Sequence, residues 1–285
     1  MQVIETLDHM RAARSALRRP IGFVPTMGYL HDGHVSLIHR AHAECASVVV
    51  SIFVNPTQFL PGEDYERYPR DTPRDLALCE KAAVSVVFAP TPAEVYPPDF
   101  ASYVEVTGLQ DRWEGAIRPG HFRGVATVVA KLFRIVQAER AYFGEKDYQQ
   151  LQIVRRMALD LCLDTDVISC PTIREPDGLA MSSRNVYLSA DDRQRAVALF
   201  RALSAAQSQL LGGETSGSSL SSTMKDLLVK AGLDVDYAAV VHPSSLEPLE
   251  RIGREARALL AARLGPVRLI DNAPLRPATW SETQK

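Results

Sequence analysis

The feature that most limits what this chain can fold into is an alternation. Up to about residue 172, short apolar runs exchange with longer stretches whose apolar residues recur at helical spacing. Strand-like runs stand at Ile21–Pro25, Ala46–Val54, Val84–Ala89, Arg140–Phe143 and Asp166–Cys170. Several are continuous Val/Ile-type runs, as expected of strands covered on both faces. Between them the spacing predicts helices at His34–Cys45, Pro73–Ala83, Arg123–Gln137 and Asp147–Leu161. In the last of these, Leu151, Val154, Met157 and Leu161 form one stripe, and Asp147 is placed to cap the start. Strands alternating with helices predict a parallel α/β sheet. Ahead of the first strand, Ile4, Leu7, Met10 and Leu17 lie roughly at helical spacing. Arginines there resemble a targeting segment, but Glu5 and Asp8 interrupt it, so a first structural helix is expected.

The pattern breaks at the turn-rich Arg174-Glu-Pro-Asp-Gly178, after which the predicted order is helix, helix, strand, helix, strand. The expected organisation is a first domain over residues 1–175 and a smaller α+β domain over 176–285, with Gly178 as a hinge that lets the second act as a lid. The Gly/Ser-rich stretch from Gly212 to Ser222 has the composition of a linker. Helical patterns on both sides make it a long loop inside the second domain. No internal repeat is visible.

Charge and apolar content narrow the partners. The 32 basic and 34 acidic residues give a formal net charge of -2 without a long basic run, so nucleic acid is not an expected partner. No apolar run approaches the ~20 residues needed to span a bilayer, the nearest being Val48–Val54, so no membrane is expected either. Cys45, Cys79, Cys162 and Cys170 form no CxxC pair, and each lies in or beside an apolar element. They are expected to be small buried thiols of a reducing compartment, which places the protein in the cytoplasm.

Three clusters carry chemistry. The first strand runs into Pro25-Thr-Met-Gly-Tyr-Leu-His-Asp-Gly-His34 and then into a helix. Free N–H groups and the positive end of the helix dipole favour an anion there, Gly28 and Gly33 allow close backbone approach, and His31 and His34 can donate to phosphate oxygens. Surface histidines are one alternative. A metal site is another, since His39 and His42 follow, although no matching Cys or carboxylate set accompanies them. The second cluster, Phe143-Gly-Glu-Lys-Asp-Tyr-Gln-Gln150, stands where a strand gives way to a helix, the position at which open α/β sheets bind ligands, and Lys146 supplies a point charge. The third, Met181-Ser-Ser-Arg184, offers two hydroxyls and a guanidinium to a polyphosphate.

Two other phosphate motifs are excluded. Gly115-Ala-Ile-Arg-Pro-Gly-His-Phe122 has the glycine spacing of a P-loop but puts His121 and Phe122 where Lys and Ser or Thr are needed. It is read as structural, or at most as the wall of another pocket. The dinucleotide fingerprint GxGxxG is absent after the first strand.

In order and spacing the clusters resemble the pantothenate synthetases, a family of the HxGH nucleotidylyl-transferase group with a Rossmann-like core. The specific segments are Val24-Pro-Thr-Met-Gly28, His31-Asp-Gly-His34, Ser51-Ile-Phe-Val-Asn-Pro-Thr-Gln-Phe59, Tyr142 to Gln150 and Arg174 to Asn185. The resemblance implies an ATP-dependent ligase that activates pantoate as an acyl-adenylate, passes the acyl group to β-alanine, and releases pyrophosphate and AMP. It further implies Mg²⁺ bound with the nucleotide, and a homodimer.

Residue by residue, it implies that Met27, Gly28, Tyr29, Leu30, His31, Asp32, Gly33 and His34 line the ATP site. Gly144, Glu145, Lys146, Asp147, Ile173, Met181, Ser182, Ser183 and Arg184 complete that site. His34, His31 and Lys146 are the expected catalytic groups, and Gln58 and Gln150 the expected pantoate-binding amides. The protein ligand of the metal stays unknown; Asp75 is a candidate metal or water ligand but is read first as a solvated carboxylate on the helix from Pro73. Tyr29 and Thr57 depart from the small residue and the Met common in the family. A nucleotidylyltransferase that leaves the nucleotide on its product, or a non-catalytic nucleotide sensor, shares the same core.

Overall fold

Five of the apolar runs do pair as parallel strands, and a sixth joins them. The computed structural model describes residues 1–280, which divide into two compact units, Met1–Ile173 and the part from Arg174 onward. The first unit contains β1 (Gln2–Ile4), α1 (Leu7–Ala16), β2 (Ile21–Thr26), α2 (Asp32–Glu44), β3 (Ser47–Ile52), α3 (Thr72–Lys81) and β4 (Val86–Phe88). It continues with α4 (Pro92–Val95), α5 (Glu114–Ile117), α6 (His121–Val136), β5 (Arg140–Gly144), α7 (Tyr148–Asp160) and β6 (Asp166–Cys170). The sheet order is β1-β4-β3-β2-β5-β6, every pairing parallel. β1 is an addition to the predicted set: Ile4, read with the first helix, belongs to this strand and pairs with Phe88. Three residues carry too little pattern to separate from the helix that follows.

Successive side chains of a strand point to opposite faces, and both faces here are covered. Val48 and Val50 of β3 pack with Leu37, Ile38 and Ala41 of α2 and Cys79 of α3. Val49, with Phe23 and Phe143, joins the opposite cluster, which includes Met10 of α1, Val129 and Phe133 of α6 and Val154 of α7. Cys79 and Cys170 are buried, which pushes their thiols up to about 12 and 11. Cys162 corrects the expectation of burial: it lies beside α7, in the turn beyond it, at φ 50, and is exposed. Asp147 stands at the cap position of α7 but makes no capping hydrogen bond; its carboxylate lies 3.5 Å from Lys146 Nζ.

The second unit contains α8 (Ala190–Ala196), α9 (Ala198–Leu211), α10 (Gly217–Lys230), β7 (Asp234–Val241), β8 (Ala256–Leu264) and β9 (Val267–Leu275), the strands forming an antiparallel sheet β7-β8-β9. Three helices followed by three strands replace the predicted mixed order. Ala256–Leu264 is rich in helix-forming Ala, Leu and Arg, yet it is the middle strand, because pairing on both edges overrides weak local propensity. The expected long loop from Gly212 to Ser222 is also corrected. α10 starts at Gly217, where Ser216 accepts a hydrogen bond from Ser219 N, so serines that look like linker are helix cap and first turns. Gly217 itself lies where a Cβ would meet Leu249 O at 1.8 Å.

The turn at Gly178 is closed by hydrogen bonds within the second unit. Glu175 N donates to Leu179 O, Gly178 N to Glu175 O, and Arg174 forks onto Asp271 at 2.7 and 2.9 Å. Gly178 has φ 98, and a Cβ there would fall 2.1 Å from Phe200. The segment is tied within its own unit. Among the described residues no helix is long and apolar enough to cross a membrane.

Candidate active site

The sheet order explains how distant parts of the sequence meet. From β2 the chain proceeds outward to β3, while β5 lies on the other side of β2 and leads outward to β6. Between β2 and β5 the direction of progress reverses, and loops at the carboxyl ends of two such strands border a crevice. Those loops are Met27–His31 and Glu145–Asp147, two of the three clusters marked in the sequence.

Pro25 stands where the pairing of β2 with β5 ends. Thr26 O accepts from Phe53 N on the β3 side, so by alternation the backbone of Pro25 faces β5. A proline offers no N–H. Pairing of β2 with β5 stops at Phe23–Ala141, whereas pairing with β3 continues to Thr26–Ile52.

Beyond β2 the loop is held by successive backbone donors. Gly28 N donates to Thr26 Oγ1 at 3.1 Å, and Gly28 and Tyr29 are both left-handed, at φ 81 and 50. Tyr29 N and Leu30 N donate to Oδ2 and Oδ1 of Asp75 at 2.6 and 2.7 Å. Leu30 is fully buried, while Asp32 at the start of α2 is exposed. The helix begins two residues before the predicted His34, because His31 is its N-cap. His31 Nδ1 accepts from Gly33 N at 3.1 Å, and His34 Nδ1 accepts from His31 N at 3.2 Å. This is a reciprocal capping box made by two imidazoles.

The capping fixes the chemistry of both rings. A nitrogen that accepts a backbone N–H carries no proton, so the neutral ring bears its hydrogen on Nε2 and donates from there. Burial, then the charge of Lys146, lowers His31 to about 4; burial, then His31 and Lys146, lowers His34 to about 3. Both are uncharged donors at neutral pH, with ring centroids 4.1 Å apart. Lys146, on the β5 side, is near enough to contribute to both shifts, so the structure brings the first two clusters together.

Gln58 belongs to the same region. It ends a 3-10 turn, Pro56–Gln58, after β3, and its amide N donates to Met27 Sδ at 2.9 Å. Asn55, unmarked in the sequence reading, organises this turn. Buried at 1% exposure, it donates to Gln58 Oε1 and Gly124 O and accepts from the Thr57 and Tyr96 hydroxyls. The false P-loop also acts here. His121 Nδ1 donates to Gln58 O at 2.7 Å, Arg118 donates to His121 Nε2 at 3.2 Å, and the Arg118 guanidinium forks onto Glu63 at 2.7 and 2.6 Å. His121 is thereby neutral, lowered to about 4 chiefly by burial. Gln149, next to the predicted Gln150, is buried and binds Leu109 O, Arg112 O and Glu114 N, while Gln150 is half-buried in the first turn of α7.

Gly144 ends β5 and Ile173 is half-buried at the end of the first unit. Met181, Ser182, Ser183 and Arg184 belong to the second unit, where Ser182 Oγ accepts from Arg184 N and caps the 3-10 turn Ser183–Tyr187. Asp75 is the clearest correction: it is a buried acceptor for two backbone N–H groups rather than a solvated carboxylate. Its position four residues after Asp71, itself the cap of α3, gave no hint that its partners lie 45 and 46 residues earlier.

Comparison with known proteins identifies the family. The family model described as pantoate-beta-alanine ligase matches residues 2–274. The pantothenate synthetase of Roseiflexus castenholzii is 54% identical over 276 residues, covering 96% of this chain and 99% of its own. The crystal structure of pantothenate synthetase from Thermus thermophilus superposes with a TM-score of 0.93 at 51% identity, covering 97% of this chain and 100% of its own. That of the Francisella tularensis pantoate-beta-alanine ligase, complexed with beta-gamma ATP and beta-alanine, superposes at 0.79 with 34% identity, over 96% and 97% of the two chains. A match that runs from β1 to β9 takes in the sheet, the paired imidazoles and the second unit alike, and the chain belongs to the pantoate–β-alanine ligase family.

Proposed function

We propose that this chain condenses pantoate with β-alanine, using ATP as co-substrate, and that the crevice between β2 and β5 is where pantoate is adenylated. The observation that carries the reading is the pair of neutral imidazoles, both oriented by backbone N–H groups at one helix N-terminus beside Lys146. A free carboxylate is a poor acyl donor because it would have to expel oxide. Attack of the pantoate carboxylate on the α-phosphorus expels pyrophosphate and leaves an acyl-adenylate, whose AMP departs when the β-alanine amine attacks the carbonyl carbon.

Catalysis of the first step is positioning and charge stabilisation. His34 and His31 donate through Nε2–H to the phosphate oxygens on which charge builds, and Lys146 adds a full positive charge. Rings that stay neutral keep their donor without competing for a proton. Gln58 and Gln150 bind pantoate as neutral amides, which hold hydroxyls and carboxylate without the ion pair that would blunt a nucleophile. The nucleotide contacts carried for Met27 to His34, Gly144 to Asp147, Ile173 and Met181 to Arg184 rest on the family motifs, as does a homodimer; a lid role for the second unit rests on the place of Met181–Arg184 beside the turn at Gly178, and a cytoplasmic location on the unpaired cysteines.

Mg²⁺ finds no ready donor set among the described residues. Among the described residues no group of three His, Cys, Asp or Glu could hold a metal, both Asp75 oxygens accept backbone N–H groups, and Asp147 pairs with Lys146. The metal is therefore assigned to the nucleotide phosphates, where Mg²⁺ commonly binds, and no step is routed through it.

The test is a stoichiometry. Pantoate and ATP alone should release one pyrophosphate per site, and AMP should appear on adding β-alanine. Turnover that leaves the nucleotide on the product, or no pyrophosphate until β-alanine is present, would overturn the proposal.

A further inference from the structure

The imidazole pair is only as well placed as the loop that carries it. Five residues, 27–31, join β2 to α2, and two of them are left-handed. Gly28 adopts that conformation freely, but Tyr29 is held there at an energy of order 1–3 kcal/mol, which persists only where surroundings over-determine it. Among those surroundings, one side chain holds the loop backbone at two successive donors. Asp75 accepts from Tyr29 N and Leu30 N, one on each carboxylate oxygen, from a position 1% exposed on α3.

Successive backbone N–H groups in such a turn form a concave anion receptor. In this chain an internal carboxylate fills it. The donors then continue without a break in purpose: Tyr29 and Leu30 to Asp75, His31 to the His34 ring, Gly33 to the His31 ring. Room for the carboxylate is tight, since a Cβ on Gly28 would come within 3.0 Å of Asp75 Oδ2. On the solvent side Arg74 lies over the Tyr29 ring at 5.2 Å and 3.9 Å from Asp75 Oδ1.

We infer that Asp75 is a positioning residue for adenylation: it acts through the Tyr29–Leu30 backbone to set His31 and His34. This rests on the function proposed above. Asp75→Asn keeps the shape but turns an NH₂ toward one of the two N–H groups, so one donor must move away. A misplacement of about 1 Å at a catalytic group costs on the order of 10²-fold.

The experiment measures single-turnover adenylation by wild type, Asp75→Asn and Cys79→Ala, the last a cavity in the same helix that leaves the carboxylate alone. Each is measured with its melting temperature and its KM for ATP. The expected result is a loss of about 100-fold in the adenylation rate for Asp75→Asn with ATP KM changed only a few-fold, and a near-normal rate for Cys79→Ala even if it melts lower. An Asp75→Asn rate within threefold of wild type would overturn the inference. So would an equal loss in Cys79→Ala, which would reduce Asp75 to general stability. If Asp75→Asn does not fold, Asp75→Glu, which keeps the charge and both acceptors, must recover more adenylation than Asp75→Ser at matched folded fraction, or the inference fails. A wild type that releases no pyrophosphate with pantoate and ATP refutes the proposed function instead.

Discussion

Gly124→Ala is a small change that should separate activity from stability. Gly124 lies in α6 against the turn that carries Gln58, and an added Cβ would meet Thr57 O at 2.3 Å, Thr57 C at 2.5 Å and Gln58 N at 2.7 Å. Ordinary contact begins at 3.4 Å, so the turn must retreat by about 1 Å. Two energies oppose each other. Alanine is a better helix former than glycine by roughly 0.5–1 kcal/mol, while overpacking costs about 1–3 kcal/mol. The net loss of stability is then about 0–2.5 kcal/mol, or a fall in Tm of roughly 10 °C at most for a unit of this size. The same displacement carries Gln58 away from its partners Asn55 and Met27. At a substrate-positioning group about 1 Å is worth on the order of 10²-fold, so kcat/KM for pantoate should fall by roughly 10–100-fold while KM for ATP stays within a few-fold. Steady-state kinetics at saturating ATP, together with a thermal melt, test this. A variant with kcat/KM for pantoate within twofold of wild type would show that α6 does not set the position of Gln58.

Two further outcomes follow from the imidazoles. His34→Ala should lower the adenylation rate by on the order of 10²–10³, as for removal of a single oxyanion donor, with ATP binding by calorimetry much less affected; a rate within a few-fold of wild type would leave His34 only its capping role. Acid should destabilise the fold well above the carboxylate range. His31, His34 and His121 are lowered from 6.5 to about 4, 3 and 4, so the unfolded chain binds protons first as pH falls, and the stability present above pH 6.5 is lost progressively below it. Each imidazole contributes up to about 1.4 kcal/mol per pH unit in that window, opposed at its lower end by Asp75, which burial holds above its ordinary value. A melting temperature that is flat between pH 7 and 5 would refute it.

How much of this was legible in the sequence depended on how far apart the interacting parts lie. The parallel sheet was readable because Val48, Val49 and Val50 sit in a run that needs cover on both faces. His31 and His34 were readable because their partners are each other's neighbours along the chain. Asp75 was not, since a carboxylate on an amphipathic helix looks the same whether it meets water or a backbone N–H 45 residues away. Asn55 and Arg118 were missed for the same reason: their roles are to hold Gln58 and its turn, and only the tertiary arrangement puts them beside it. In the second unit, Ala256–Leu264 misled because its local preference is helical and its pairing partners lie on either side in the sheet.

Pro25 has one more consequence. The parting of β2 from β5 follows from a missing backbone donor, which no rotamer change or ligand can restore. The end of that ladder is therefore written into covalent structure, because no conformational change supplies the missing N–H. A protein that must first populate a rare open form binds with its affinity divided by that form's scarcity. A ladder that ends for want of a donor needs no such opening at that point.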